Sequence, residues 1–170
     1  LQPTFAGTFI AKFNAAGTPV YSTFNGVNGT LPVGIAVDAT GNVYVTGYCV
    51  GVANLSYDFA TIKYDAFGNQ IWLRQVSNAS GGALVIDGAD NVYSSGSSPT
   101  IKYDTNGNQL WMHAAGGSPG EIALDNVGNV LVLSSSTISK LDAIGATLWS
   151  QAFTGTGGGA SAPLAAAVGA

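Results

Sequence analysis

The stretch "TIKYDAFGNQIWLRQ" (61–75) recurs with few changes as "TIKYDTNGNQLWMHA" (100–114). An active site is normally built once in a domain. A structural unit that buries its apolar face only against its neighbours is built several times. The stretch therefore predicts a repeat architecture.

The core of this phrase is the pattern Lys-x-Asp-x-x-Gly-x-x-x-Trp. Full copies lie at 63–72, 102–111 and 140–149, and each ends in a tryptophan: Trp72, Trp111 and Trp149. A degenerate copy opens the chain, with Lys12, Asn14 and Gly17 in the frame and Tyr21 in place of the tryptophan. A second phrase alternates with the first, as "IAVDATGNVYVTG" (35–47), "LVIDGADNVYSSG" (84–96) and "IALDNVGNVLVLS" (122–134).

Each phrase has the form of a β-hairpin, because two runs of β-branched and aromatic residues flank an Asp/Asn/Gly cluster. An aspartate side chain accepts hydrogen bonds from backbone N–H groups further along a turn, and glycine adopts the positive φ that closes it. We predict structural turn roles, with side chains that face their own hairpins, for Asp38, Asp65, Asp87, Asp104, Asp125 and Asp142.

Two hairpins make a four-stranded antiparallel sheet. The runs 35–37 and 43–45 are apolar throughout rather than alternating, which predicts that such strands are buried on both faces. Four-stranded sheets that repeat along the chain and are covered on both faces are the blades of a β-propeller. The predicted fold class is therefore all-β.

The segments "YDFATIKYDAFGNQIW" (57–72) and "GIAVDATGNVYVTGY" (34–48) resemble the bacterial β-propeller repeat family abbreviated SBBP, over about residues 5–153. This resemblance implies an exported bacterial propeller and no common chemistry. The Asp-x-x-Gly-x-x-x-Trp spacing also resembles the tryptophan-docking motif of quinoprotein propellers. That second resemblance implies that Trp72, Trp111 and Trp149 pack between neighbouring blades and carry no catalysis.

The chain is predicted to hold about three and a half blades, namely a half-blade over 8–24 and whole blades over 33–76, 83–114 and 121–153. Propellers close with 4–8 blades, so an open arc would expose the apolar faces of its end blades. Three candidates could cover these faces: the missing part of a longer chain, further copies of this chain, or the Gly/Ala-rich tail over 154–170.

The spacing of the repeat favours a role for the tail. Inner strands begin 11–15 residues after the aromatic residue that ends the preceding phrase, and the same count from Trp149 reaches 160–164. Residues near 162–168 are therefore expected to form an added strand on an opening half-blade. That half-blade belongs to the same chain if a small ring closes, or to the next copy in a head-to-tail polymer, which we favour slightly.

Composition limits the partners. Charged residues make up 8% of the chain, against roughly 25% in ordinary soluble domains, so the surface is weakly protected against association. A net charge of −4 argues against nucleic acid. No apolar run approaches the ~18 residues of a membrane helix, so no membrane span is expected.

Repeat positions account for most ionisable residues and leave Asp58, Arg74, Asp90, His113 and Glu121. Acid–base catalysis requires paired groups with shifted pKa values, and the spacing indicates none beyond His113 and Glu121 on either side of one loop. We expect no catalytic, cofactor-binding or metal-binding residue and no cofactor. The single cysteine, Cys49, is expected to be a buried thiol at a strand end.

The loop over 47–60 is the least regular part of the repeat. Its aromatic and polar residues suit carbohydrate or protein contact, which makes Tyr48, Asn54, Tyr57 and Asp58 candidate loop-face contacts.

Three functional hypotheses follow. The favoured one is a noncatalytic, secreted or cell-surface propeller that serves as a structural or interaction scaffold and assembles with itself. The alternatives are a carbohydrate- or protein-binding module that uses the loop face, and a fragment of a propeller enzyme such as a quinoprotein or a lyase.

Overall fold

Each Asp/Asn/Gly cluster forms a tight turn between two antiparallel strands. The computed structural model describes residues 8–25, 31–50, 57–79, 81–97, 99–114, 119–134 and 136–152. Within these ranges it has fourteen strands and no helix, so it holds no helix there that could cross a membrane. The strands are β1 (Thr8–Phe13), β2 (Pro19–Asn25), β3 (Leu31–Val37), β4 (Val43–Val50), β5 (Tyr57–Tyr64), β6 (Gln70–Val76), β7 (Gly81–Ile86), β8 (Val92–Gly96), β9 (Thr100–Tyr103), β10 (Gln109–His113), β11 (Pro119–Leu124), β12 (Val130–Ser134), β13 (Thr137–Leu141) and β14 (Thr147–Ala152).

The strands form one two-stranded sheet and three four-stranded antiparallel sheets. We call the pair β1–β2 the half-blade, and the sheets β3–β6, β7–β10 and β11–β14 the first, second and third blades. Inside every blade the strands pair in chain order. The predicted all-β architecture of four-stranded blades preceded by a half-blade is confirmed.

The inner strand of each whole blade begins two residues before the position predicted from the sequence, at Leu31, Gly81 and Pro119. A register shift follows each of these starts. Such a shift, as at a β-bulge, interrupts the alternation of side chains along the strand. The sequence pattern therefore does not reveal the residues before the shift as part of the strand. The predicted tail strand near 162–168 lies outside the described residues.

The hydrophobic core lies between the blades. One cluster joins the half-blade to the first blade and contains Ile10, Val45 and Ile62. Two clusters join the first blade to the second, and a fourth joins the second to the third. Among the described residues, no cluster joins the third blade back to the half-blade, so the blades form an open arc.

The expectation that the run 35–37 is buried on both faces is wrong. Ile35 is 65% exposed, whereas Leu84 and Ile122, at the same position of the next two blades, are 8% and 4% exposed. Leu84 and Ile122 pack against the blade before them. Among the described residues β3 has no such cover, because the half-blade before it has only two strands there.

Candidate functional site

The six predicted turn aspartates direct their carboxylates at their own turns. In the turn of Asp65, Oδ1 accepts hydrogen bonds from the backbone N–H groups of Phe67 (2.9 Å) and Asn69 (2.8 Å). The same contacts, two and four residues ahead, recur at Asp38, Asp87, Asp104, Asp125 and Asp142. Asn14 makes them in the half-blade. These side chains are therefore engaged in the fold.

The same contacts favour the ionised carboxylates. Burial of Asp38 disfavours its charge, but hydrogen bonds from Asn42 and Thr40 outweigh that cost and lower its pKa to about 2. The Lys140 ammonium, 2.9 Å from Asp125, is the main cause of the lowered pKa of that carboxyl group. Hydrogen bonds from the asparagine four residues ahead are the main cause of a lowered pKa at Asp65 and Asp104.

At three junctions an aromatic side chain of one blade packs on the outer turn of the next blade. Trp72 of β6 donates from Nε1 to the carbonyl oxygen of Thr105 at 3.1 Å. Its ring covers Gly107, where a Cβ atom would lie 2.9 Å from the indole. The ring centroids of Trp72 and Tyr103 are 6.0 Å apart, within the range of attractive aromatic pairs. Glycine is thus required beneath the indole.

The other two blade junctions share the contact between an aromatic ring and a turn glycine. Trp111 donates from Nε1 to the carbonyl oxygen of Ala143 at 3.1 Å and lies 2.8 Å from the Cβ position of Gly145. Tyr21 of the half-blade lies equally close to the Cβ position of Gly68. All three junctions therefore join an aromatic residue to a turn glycine.

Two of the repeat lysines, Lys63 and Lys102, reach the same turns. Lys63 Nζ donates to the Thr105 carbonyl oxygen at 3.0 Å and lies 4.9 Å from the ring centroid of Tyr44. Lys102 Nζ lies 3.5 Å from the Ala143 carbonyl oxygen and 3.7 Å from the Asp87 carboxylate of its own blade. Each lysine thus links its own blade to the next one.

Trp149 departs from the prediction that all three tryptophans pack against an adjacent blade. Its side chain is 40% exposed, whereas that of Trp72 is 6% exposed. Within the described residues no blade follows the third blade, so the indole has no turn to cover. We call the surface formed by Trp149 and Lys140 the donor face.

The half-blade has the complementary surface. Phe13 stands at the repeat position of Tyr103 but is 57% exposed, against 3% for Tyr103. A Cβ atom added to Gly17 would meet nothing within 4 Å, unlike those at the three covered glycines. We call the surface formed by Phe13, Ala15 and Gly17 the acceptor face. Phe13 was not among the residues predicted from the sequence, although alignment of 12–21 with 102–111 places it at the position of Tyr103.

The loop-face candidates are not all brought together. Tyr48 and Tyr57 form an edge-to-face pair with ring centroids 5.1 Å apart, and Tyr57 is exposed. Asp58 is instead buried, and its Oδ1 accepts a hydrogen bond from the Asn78 backbone N–H group at 3.1 Å. Asp58 is therefore not presented as a surface contact, and Asn54 lies outside the described residues.

Other side chains without repeat roles are also used by the fold. Arg74 donates from Nε to the Gly107 carbonyl oxygen at 2.6 Å. Asp90 has a φ of 59° and closes the turn of the second blade in the place of a glycine. Cys49 is buried and contacts Gln75 Nε2 at 2.9 Å, and burial raises the pKa of its thiol.

His113 lines a cleft of ≈ 320 Å³ between β10 and the third blade, together with serine and threonine side chains. A second cleft of ≈ 350 Å³ lies between β1 and β3 and is lined by Phe9 and Val33, among other apolar residues. Glu121 is exposed. No group of three or more His, Cys, Asp or Glu side chains in the described ranges could hold a metal ion.

Comparison with known proteins shows the fold. No family model and no curated protein matches the sequence. The chain is similar to BamB from Moraxella catarrhalis, with a TM-score of 0.64 and 21% identity, over 85% of this chain and 42% of BamB. At this identity the likeness shows the β-propeller fold alone.

Two further solved structures resemble the chain. One is a protein of unknown function from Bacteroides caccae, with a TM-score of 0.59 and 13% identity, over 89% of this chain and 60% of that one. The other is a eukaryotic initiation factor, with a TM-score of 0.54 and 12% identity, over 88% of this chain and 44% of that one. This chain spans less than two thirds of each of these three proteins.

Proposed function

We propose that this chain is a noncatalytic, extracellular β-propeller repeat protein that serves as a structural or interaction scaffold and assembles with itself head to tail. The observation that carries this proposal is the pair of open end faces. Phe13 occupies a repeat position that is buried in all three whole blades, and Trp149 occupies one that is buried at Trp72 and partly buried at Trp111. Both residues are exposed, at opposite ends of the arc.

Association would remove this apolar surface from water, which is the main driving force for protein–protein contact. The low content of charged residues, 8% of the chain, places little electrostatic repulsion in the way of such contact. The extracellular location rests on the SBBP resemblance, which implies export. The noncatalytic role rests on the turn and junction contacts that engage most of the ionisable side chains.

The proposal is tested by the molar mass of the native particle, measured by light scattering during size exclusion over a range of concentrations. We expect multiples of the 17.1 kDa chain. Electron microscopy then distinguishes a closed oligomer from a filament. A mass equal to one chain at every concentration contradicts self-assembly.

The second candidate function is a carbohydrate- or protein-binding module that uses the loop face. The observation that favours it is the aromatic pair Tyr48–Tyr57, because Tyr57 remains exposed beside its partner. Exposed aromatic rings suit the apolar faces of sugars and the centres of protein interfaces. Screening the native chain and Tyr57→Ala against immobilised oligosaccharides tests it, and the proposal requires binding that the substitution removes.

A further inference from the structure

The chain contains two complete junctions and a simpler third one at the half-blade, and each end of the arc has one half of a further junction. A complete junction consists of an aromatic residue and a lysine on one blade, and of a carbonyl oxygen and a turn glycine on the next. Between the first and second blades these parts are Trp72, Lys63, Thr105 and Gly107.

The third blade supplies the first half of this set without its partner. Trp149 lies opposite Lys140 on the adjacent antiparallel strand, in the same register as Trp111 lies opposite Lys102 in the second blade. Lys140 already contacts the Asp125 carboxylate. Lys102 contacts both Asp87 of its own blade and the turn of the next blade. The ion pair between Lys140 and Asp125 is therefore compatible with a further contact of Lys140.

The half-blade supplies the second half. Its turn is closed by hydrogen bonds between Asn14 and both Gly17 and Thr18, as the covered turns are closed. Ala15 stands at the position of Thr105 and Ala143, whose carbonyl oxygens accept the indole N–H. Gly17 has a φ of 76° and open space above it.

We propose that the donor face of one copy docks on the acceptor face of a second copy and completes a further junction between the two copies. Trp149 covers Gly17, its Nε1 donates to the Ala15 carbonyl oxygen, and its indole packs against Phe13 as Trp72 packs against Tyr103. Lys140 donates to the same carbonyl oxygen. This inference rests on the head-to-tail assembly proposed above and adds the residues that form the contact.

A second copy is the occupant that fits, because the two faces complement each other and not themselves. A contact between two donor faces would place indole against indole and leave both acceptor faces open. A contact between donor and acceptor faces is heterologous, so it closes into a ring or grows into a filament according to the rotation between copies.

The test uses one variant at each face and a matched control for each. Trp149→Ala removes the indole. Its control, Leu148→Ala, truncates a neighbouring exposed residue whose counterparts Ile71 and Leu110 stay exposed where junctions are complete. Gly17→Ala places a methyl group beneath the docked indole. Its control, Gly128→Ala, meets the same open space at a similar φ of 84°, in the inner turn of the third blade.

We expect Trp149→Ala and Gly17→Ala to lose the assembled particle at concentrations where the native chain and both controls keep it. A mixture then tests the direction of the contact. Trp149→Ala keeps an intact acceptor face and Gly17→Ala keeps an intact donor face. An equimolar mixture should form pairs of twice the chain mass and nothing larger, although each variant alone is a monomer.

The outcomes separate this junction from the proposed function. Native assemblies that survive both substitutions overturn the junction and leave the scaffold proposal standing. Dissociation of the controls, or a mixture that does not pair, also overturns it. A native chain that is monomeric throughout overturns both. Circular dichroism of each variant establishes that the monomers are folded.

Discussion

The Trp72 indole lies directly on Gly107 of the next blade, so close that a Cβ atom there would be 2.9 Å from the ring. The same relationship recurs at the other two junctions, where Tyr21 lies on Gly68 and Trp111 lies on Gly145. An aromatic ring and a turn glycine thus set the spacing between consecutive blades, and the stability of each junction depends on both.

Trp72→Ala should lower the free energy of unfolding by about 3–5 kcal/mol, because it removes a buried aromatic ring and leaves a cavity between blades. Trp149→Ala should cost less in the dissociated chain, since Trp149 is 40% exposed there, against 6% for Trp72. Urea denaturation of both variants at low concentration measures the difference. Equal losses would mean that Trp149 is packed in the single chain.

Asp65→Ala should lower the free energy of unfolding, because the backbone N–H groups of Phe67 and Asn69 lose their acceptor. Asp65→Asn is the matched control, since Asn14 makes the equivalent contacts with an amide oxygen. We expect the asparagine variant to keep most of the stability. A loss of ligand binding or assembly without a loss of stability would contradict a purely structural role.

Acid should destabilise the fold over a defined pH range. The lowered native pKa values mean that the unfolded chain takes up protons first as the pH falls. The stabilisation is complete above about pH 5, declines below the unfolded aspartate pKa of about 3.9, and at Asp38 is lost as the pH passes about 2.

Urea midpoints measured from pH 7 to pH 2 test this expectation. The midpoint should change little down to about pH 5 and then fall. Asp38→Asn should be less stable at neutral pH but should show a smaller decline in acid, because it removes one titrating group. A midpoint that rises as the pH falls would contradict the direction of these shifts.

Deletion of 160–170 tests the proposed strand exchange through the tail. If this segment pairs with the half-blade of the next copy, the deletion should convert large particles into monomers or aggregates. Size-exclusion light scattering of the native and shortened chains measures the change. Assemblies of native size that survive the deletion would contradict a role for the tail while leaving the tryptophan junction possible.

The sequence by itself determined the hairpins and their turns. Each turn is closed by contacts within four residues, as between Asp65 and Asn69, so the pattern Asp-x-x-Gly encodes it without help from the rest of the chain. The alternation of the two phrases then determined four strands in each blade, because consecutive hairpins pair in chain order.

Burial was decided by the tertiary structure. Ile35 and Ile122 have the same sequence context, and so do Trp72 and Trp149, yet one member of each pair is buried and the other is exposed. The apolar pattern of a strand indicates which of its faces can be buried. Whether that face is buried depends on a neighbouring blade, whose residues are far away in the sequence. Within the described residues the half-blade has only two strands beside Ile35 and no blade follows Trp149, so identical motifs have different surroundings at the two ends of the arc.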